Sequence, residues 1–396
     1  MIRKFPKLSR FLIYYFLSIS LIYLVEHVLL SSKMLQIFNL NEHLISDIQF
    51  NDFYYKKHGK TGPDTYMDKE KKIILVNMQE IPTTVAGREM YISLFSKLNE
   101  YKVAAIGVDV TFSKHQKDVF QSVKNNPKII FADQDTSSDI SFPNNGDIRF
   151  PKLGEHEQRS IRYYKNNEHS FGAKIVKAAF PLVSTNITNN ENFIIHYNSF
   201  GSGLSHLIND DNSKNNHWNE DYKFLNSSDI LLDSINIYKD YFKGKVVIVG
   251  YLGDRKHSNA DFDIEDKKRV PVDIEHLVNR DPKMFGAVVH ANAISTILDK
   301  DLHFYVVSDA TILVINLLIC ALFMYFLLFK NLGKLWNRIL LFVFTIPMLF
   351  LILYLMDYGI YYKFGSSLLV LLVIEEMYEI LEPYDKKYLT KYMKND

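Results

Sequence analysis

The apolar residues of this chain are not spread evenly. They gather into four long runs, one near the start and three after residue 305. A run of about twenty apolar residues matches the thickness of a bilayer when it is coiled into a helix. The first run is Phe11–Leu30 (FLIYYFLSISLIYLVEHVLL). The second is centred on Ala310–Phe329, the third is Ile339–Met356, and the fourth is a shorter stretch, Phe364–Ile374, flanked by Ile360, Tyr361 and Tyr362. These runs predict four transmembrane helices, one N-terminal and three C-terminal.

Basic residues set the expected orientation. Arg3, Lys4, Lys7 and Arg10 precede the first run. Lys330, Lys334 and Arg338 separate the second from the third, and Lys386–Lys394 follow the fourth. Four spans put all three clusters on the cytoplasmic side, as the positive-inside rule requires. Both termini are then cytoplasmic, and the long segment between the first two runs is exported. The first run has no small-residue cleavage site after it, so it reads as an uncleaved anchor. The expected layout is 1–10 cytoplasmic, 11–30 span one, 31–305 exported domain, 306–329 span two, 338–356 span three, 360–379 span four and 380–396 cytoplasmic tail.

Within the exported segment the pattern changes to short apolar strands separated by helical spacing. KKIILVNM (71–78), VAAIGVDVTF (103–112) and KIIFAD (128–133) read as strands buried on both faces. Between them, Met90, Leu94, Phe95 and Leu98 fall at helical intervals, and HQKDVFQSVKNN (115–126) suggests another helix. Strand-helix alternation of this kind predicts an α/β domain with a mostly parallel or mixed sheet. Further on, 171–183 is a helix candidate and 192–198 a strand. SSDILLD (227–233) opens on an N-capping serine, GKVVIVGYLGD (244–254) is a strong strand, and MFGAVVHANAISTILDK (284–300) is a closing helix.

Several kinds of chemistry are unsupported. The net charge of +1 suggests no nucleic-acid partner. The single cysteine, Cys320, forms neither an intrachain disulfide nor a thiolate cluster. No H-E-x-x-H, G-x-S-x-G, G-x-G-x-x-G or phosphate-binding G-x-x-x-x-G-K motif is present. DFDIED (261–266) lacks the spacing of a calcium loop. No cofactor, metal or catalytic set is therefore expected.

Six residues stand out as ligand or structural candidates. Asp109 ends an apolar strand, where it either faces a pocket or caps the next helix. Gly250 and Gly253 permit a tight turn or a close backbone approach, and Asp254 follows them. His290 and Asn292 are two residues apart, a spacing that places them on different faces of a helix. His290 is expected either to be a buried structural histidine, bonded to backbone or to an acid such as Asp109, or to contact a ligand.

AAIGVDVTFS (104–113), FKGKVVIVG (242–250) and FGAVVHANAISTIL (285–298), in this order and with this membrane pattern, resemble the CHASE2 family. The resemblance runs over about residues 11–380. It implies an α/β sensory domain outside the cytoplasmic membrane of a bacterium, often linked to a kinase or cyclase. Only a short tail follows the last run here, so the expectation is a sensor that acts through a membrane or envelope protein partner, with an unknown small ligand and the lipid bilayer as further contacts. A structural subunit of an envelope complex is the alternative. An exported hydrolase using Asp109 and His290 is a third, for which no nucleophile is evident.

Overall fold

The structure is a computed structural model that describes residues 6–24, 72–78, 84–110, 117–123, 125–133, 145–148, 163–165, 167–182, 193–195, 197, 223–252, 267–268, 284–298, 304–330, 334–362 and 364–384. The chain divides into two compact units. One is Tyr55–His303 and the other joins Met1–Tyr54 to Phe304–Asp396.

The first of these is a sheet domain. Its strands are β1 (Ile73–Asn77), β2 (Ala105–Asp109), β3 (Ile129–Asp133), β4 (Asn145–Asp147), β7 (Lys223–Asn226) and β8 (Val246–Gly250), with two small strands, β5 (Tyr163–Tyr164) and β6 (Phe193–Ile194), paired separately. The six main strands lie in the order β4-β3-β2-β8-β1-β7, and every pairing is parallel. A parallel sheet must be covered on both faces, which explains why β1 and β8 are apolar without alternation and buried at every position.

Successive side chains still point to opposite faces. Ile74, Val76, Ile106, Val108, Val247 and Val249 join one core. Against them pack helix α2 (Val85–Glu100), through Tyr91, Leu94, Phe95 and Leu98, and α3 (Lys117–Val123), through Val119. Two short helices, α5 (Ser227–Leu231) and α6 (Lys239–Phe242), add Ile230 and Phe242. Thr84 caps α2 by accepting the Gly87 N–H at 2.9 Å. Ser227 does not have its expected capping role. Asn226 holds the N-cap position of α5 and Ser227 is the first helical residue.

The opposite face is covered by α4 (Phe171–Ala179) and α7 (Gly286–Leu298). On this face β2 presents Gly107, and a Cβ there would collide with Ile175 of α4. The expected closing helix begins as a two-residue strand, β10 (Met284–Phe285), antiparallel to β9 (Lys267–Lys268).

The second unit contains α1 (Pro6–Leu24), α8 (Asp309–Lys330), α9 (Lys334–Asp357) and α10 (Phe364–Tyr384). Tyr14, Cys320, Phe323, Leu327, Leu371, Ile374 and Tyr378 form its core. Strands β11 (Tyr305–Val306) and β12 (Ile360–Tyr361) pair in parallel and tie the start of α8 to the α9–α10 turn.

This unit corrects the expectation of four transmembrane helices. Among the described residues only two helices are long and apolar enough to cross a bilayer, over Asp309–Leu328 and Leu335–Asp357. In α1 the apolar part is Phe11–Leu21, about 16 Å at 1.5 Å per residue, well short of a hydrocarbon core of about 30 Å. Residues 25–30, which were expected to complete that span, lie outside the described residues. In α10, Glu375, Glu376, Glu379 and Glu382 occupy the second half, and ionised side chains there are costly in lipid. The basic residues Lys330, Lys334 and Arg338 still mark the α8–α9 connection and fit a cytoplasmic hairpin turn.

One buried acid locks the connection between α5 and α6. Asp233 accepts hydrogen bonds from the Ile237 N–H (2.9 Å), the Tyr238 N–H (3.1 Å) and the Tyr101 hydroxyl. Burial alone would raise its carboxyl. The Tyr101, Tyr238 and Ile237 bonds, with Lys97 nearby, outweigh that and hold it below the usual carboxylate range. A folded value below the unfolded one means that this stabilisation is complete above the unfolded aspartate value of about 3.9 and fades as pH falls through the folded value. Acid titration of the full chain in detergent, followed by circular dichroism, should therefore show an acid-unfolding limb. Asp233→Asn should lower stability at neutral pH and flatten that limb. An unchanged limb would show that other carboxylates control it.

Candidate functional site

The carboxyl ends of the parallel strands converge where the chain parts to opposite faces of the sheet. β1 and β2 lead into α2 and α3 on one face. β8, which lies between them, leads towards α7 on the other. Open parallel sheets bind ligands just outside such a point. Gly250 at the end of β8 pairs in register with Asp109 of β2 on one side and Asn77 of β1 on the other. Asn77 in turn pairs with Asn226 of β7.

Gly250 has a packing reason to be glycine. A Cβ there would lie 2.9 Å from the Ala287 Cβ of α7 and 3.4 Å from the Asp109 Cβ. The close approach suggested by its sequence context is thus made by the protein's own helix, near the start of α7.

That contact brings His290, one helical turn on, towards Asp109. The imidazole is buried, with Nε2 4.0 Å from Asp109 Oδ1. Its Nδ1 lies 3.0 Å from the Tyr164 hydroxyl of β5, and the Phe171 ring packs edge-on against it at 5.0 Å. The Tyr164 oxygen also accepts the Gly172 N–H at 3.0 Å. Burial pushes the Tyr164 hydroxyl far above its ordinary range. The Gly172 N–H opposes that rise, while the Asp109 and Asp147 carboxylates add to it. The phenol therefore keeps its proton and shares one hydrogen bond with Nδ1, while Nε2 faces the Asp109 carboxylate. The result is a buried polar chain from the start of α4 through β5 and α7 to the end of β2. Both ring nitrogens of His290 face protein groups.

Asn292 does not join this chain. It is fully buried; its Nδ2 donates to the Val288 carbonyl at 3.0 Å and touches Met284 Sδ at 3.9 Å. Its roles are internal to α7 and β10. Gly253 and Asp254 lie outside the described residues. Among the described residues no group of three potential metal ligands occurs.

Two contributors escaped the sequence reading. Asn77 is buried, accepts the Leu252 N–H at 2.8 Å and donates to Asn226 Oδ1 at 3.3 Å. A polar residue closing the apolar run IILVN was its visible signal. Tyr164 stands in a polar, turn-rich stretch where nothing marked it. A separate groove of about 380 Å³ lies along α4, lined by Pro127, Ile130, Glu168, His169, Lys174 and Lys177, and includes none of the six candidates.

Two substitutions test this geometry. Gly250→Ala should force α7 off the sheet and cost about 1–3 kcal/mol, the usual range for overpacking. Tyr164→Phe removes a hydroxyl that serves two buried groups and should cost about 1–3 kcal/mol for each one left unsatisfied. Thermal melts of the full chain in detergent measure both. A Tyr164→Phe protein as stable as its parent would show that water or a rotated His290 replaces the bond.

No curated protein and no solved structure matches the chain. The model of the CHASE2 domain matches residues 27–327, well over half of the sequence. Its expected motifs occupy the centre of the fold: GVDV and KVVIVG fall in the adjacent strands β2 and β8, and HANAI lies in the helix that packs on β8 and β1. Together with the two apolar helices of the C-terminal region, the match makes this a bacterial inner-membrane protein with a large extracytoplasmic sensory domain, and the chain belongs to the CHASE2 family.

Proposed function

We propose that the chain is a sensory subunit in which a small molecule or an envelope component binds at the carboxyl edge of the sheet, around Asp109, and in which a membrane or envelope protein partner reads the result. The observation that carries this reading is the double commitment of α7. Its first half holds Ala287 against Gly250 and His290 towards Asp109. Its end at Leu298 stands eleven residues before Asp309, where the first bilayer-length helix starts.

A ligand that competes for the Asp109 carboxylate would change the group facing His290 Nε2. Parallel interiors are close-packed, so a shift at Ala287 or His290 would move α7 as a body rather than dissipate locally. The hydrolase reading finds less support, because His290 is turned towards Tyr164 and Asp109.

The test uses the full chain captured from its native membrane in mild detergent, as wild type and as Asp109→Asn. Co-purification of a histidine kinase or nucleotide cyclase whose own activity differs at least severalfold between the two preparations supports sensing through a partner. An envelope-assembly complex recovered equally with both, with no change in any bound activity, would establish the structural alternative instead.

A further inference from the structure

The sheet has two chemically unlike edges. Since all six main strands are parallel, their amino ends lie together, opposite the Asp109–Asn77 edge. Lysines gather at the amino ends. Lys72 immediately precedes β1, Lys128 precedes β3, Lys245 precedes β8, and Lys102 stands three residues before the start of β2. Backbone bonds make them neighbours across the edge. The Val246 N–H donates to the Lys72 carbonyl (2.8 Å), the Ala104 N–H to Lys245 (2.8 Å), the Gly244 N–H to Lys102 (3.0 Å) and the Ile106 N–H to Lys128 (2.8 Å). Lys72, Lys102 and Lys128 are exposed and Lys245 is half-buried, its ammonium over the Tyr241 ring at 4.4 Å. Among the described residues, Glu100 pairs with Lys97 at 3.9 Å and Asp233 is consumed by its internal bonds, and no ion pair joins an acid to this row.

Beside the lysines the α5–α6 connection pushes three aliphatic side chains into the open. Leu232, Ile235 and Ile237 are 81%, 76% and 68% exposed. They do not extend from a loose loop. Asp233 anchors the segment to Tyr101, the neighbour of Lys102. Asn236 takes the left-handed conformation (φ 58°), accepts from Lys97 Nζ at 2.7 Å and donates to Glu100 at 3.1 Å. A rigid segment that presents bare hydrocarbon beside a row of cations fits a surface that offers both negative charge and hydrocarbon depth. The headgroup region of an anionic bilayer offers both.

Chain direction agrees. Helix α7 starts against Gly250 at the carboxyl edge and packs along β8 and β1. Thirteen residues carry it about 20 Å, slightly more than the length of a five-residue strand, about 17 Å. It therefore runs from the carboxyl edge towards the lysine edge.

We infer that the amino edge of the sheet docks on the anionic lipid surface of the membrane, with Lys72, Lys102, Lys128 and Lys245 facing phosphates and Leu232, Ile235 and Ile237 entering the headgroup–acyl boundary. This surface is separate from the carboxyl edge and stands or falls independently of ligand sensing there.

The experiment places a fluorophore sensitive to polarity on Ile235→Cys in the full chain, reconstituted into nanodiscs. The parent, whose Cys320 is buried in α8, supplies the labelling blank. In discs rich in phosphatidylglycerol the emission should shift to the blue and be quenched by lipids brominated on their acyl chains. In discs of phosphatidylcholine alone the shift should be largely lost. Each Lys→Gln substitution in the row should weaken docking about fivefold, the factor equivalent to ~1 kcal/mol per basic residue near an anionic surface. Circular dichroism checks that the glutamine variants stay folded, and high salt applied to the unmutated row gives the same readout without a substitution. Water-like emission in both lipids would overturn the inference. So would a blue shift that persists in detergent and grows with protein concentration, since that marks contact with a second copy.

Discussion

Helix α7 can lie on the sheet only because β8 ends in a residue without a side chain. At Gly250 the helix approaches so closely that even a methyl group would sit 2.9 Å from Ala287. Everything at the carboxyl edge depends on this approach. It brings His290 towards Asp109, presses Phe171 and Tyr164 around the imidazole, and fixes where α7 leaves the domain. A longer separation would pull the imidazole away from the Asp109 carboxylate it faces, and weakening a buried polar contact is expensive.

The strands of the sheet were legible because burial on both faces leaves a continuous apolar run. IILVN, AIGVD, IIFAD and VVIVG each became a central strand of the parallel sheet. Their order was not legible. Nothing local in KVVIVG says that it inserts between β1 and β2, more than a hundred residues earlier, and that insertion creates the switch point. For His290 the sequence left backbone, an acid such as Asp109 or a ligand as alternative partners. The contribution of Tyr164 was not legible, since its stretch carries no periodicity and its partners, Gly172 and His290, are remote in sequence. Gly250 was visible as a glycine after a strand, but its reason, the approach of a helix, belongs to packing.

The apolar runs show the opposite failure. Hydrophobicity marks what avoids water, without distinguishing lipid from protein. Tyr14 of α1 and Leu371, Ile374 and Tyr378 of α10 are buried against Phe323 and Leu327 of α8. Helices α1 and α10 thus spend part of their apolar residues on other helices, while Phe16 of α1 and Ile380 of α10 stay exposed, as Phe342 and Phe350 of α9 do. Length and acid placement separate the two groups more reliably than apolar content. Among the described residues the apolar stretch of α1 is Phe11–Leu21, and Glu375 and Glu376 interrupt α10.

A net charge of +1 conceals a strong polarity within the sheet domain. Parallel strands impose it by geometry, because whatever precedes each strand collects at one edge and whatever ends it collects at the other. Here lysines precede β1, β3 and β8, while Asn77, Asp109, Asp133 and Asp147 end β1 to β4. The strand itself is too apolar to carry charge, so the polar residues that bound it are sorted into a cationic edge and an acid-and-amide edge. Such sorting gives one fold two surfaces of opposite chemistry about 17 Å apart, the length of a five-residue strand. Helix α7 packs along β8 and β1 between them, with His290 near the acidic edge. An event at the acidic edge therefore meets a rigid helix that packs along β8 and β1 towards the cationic edge.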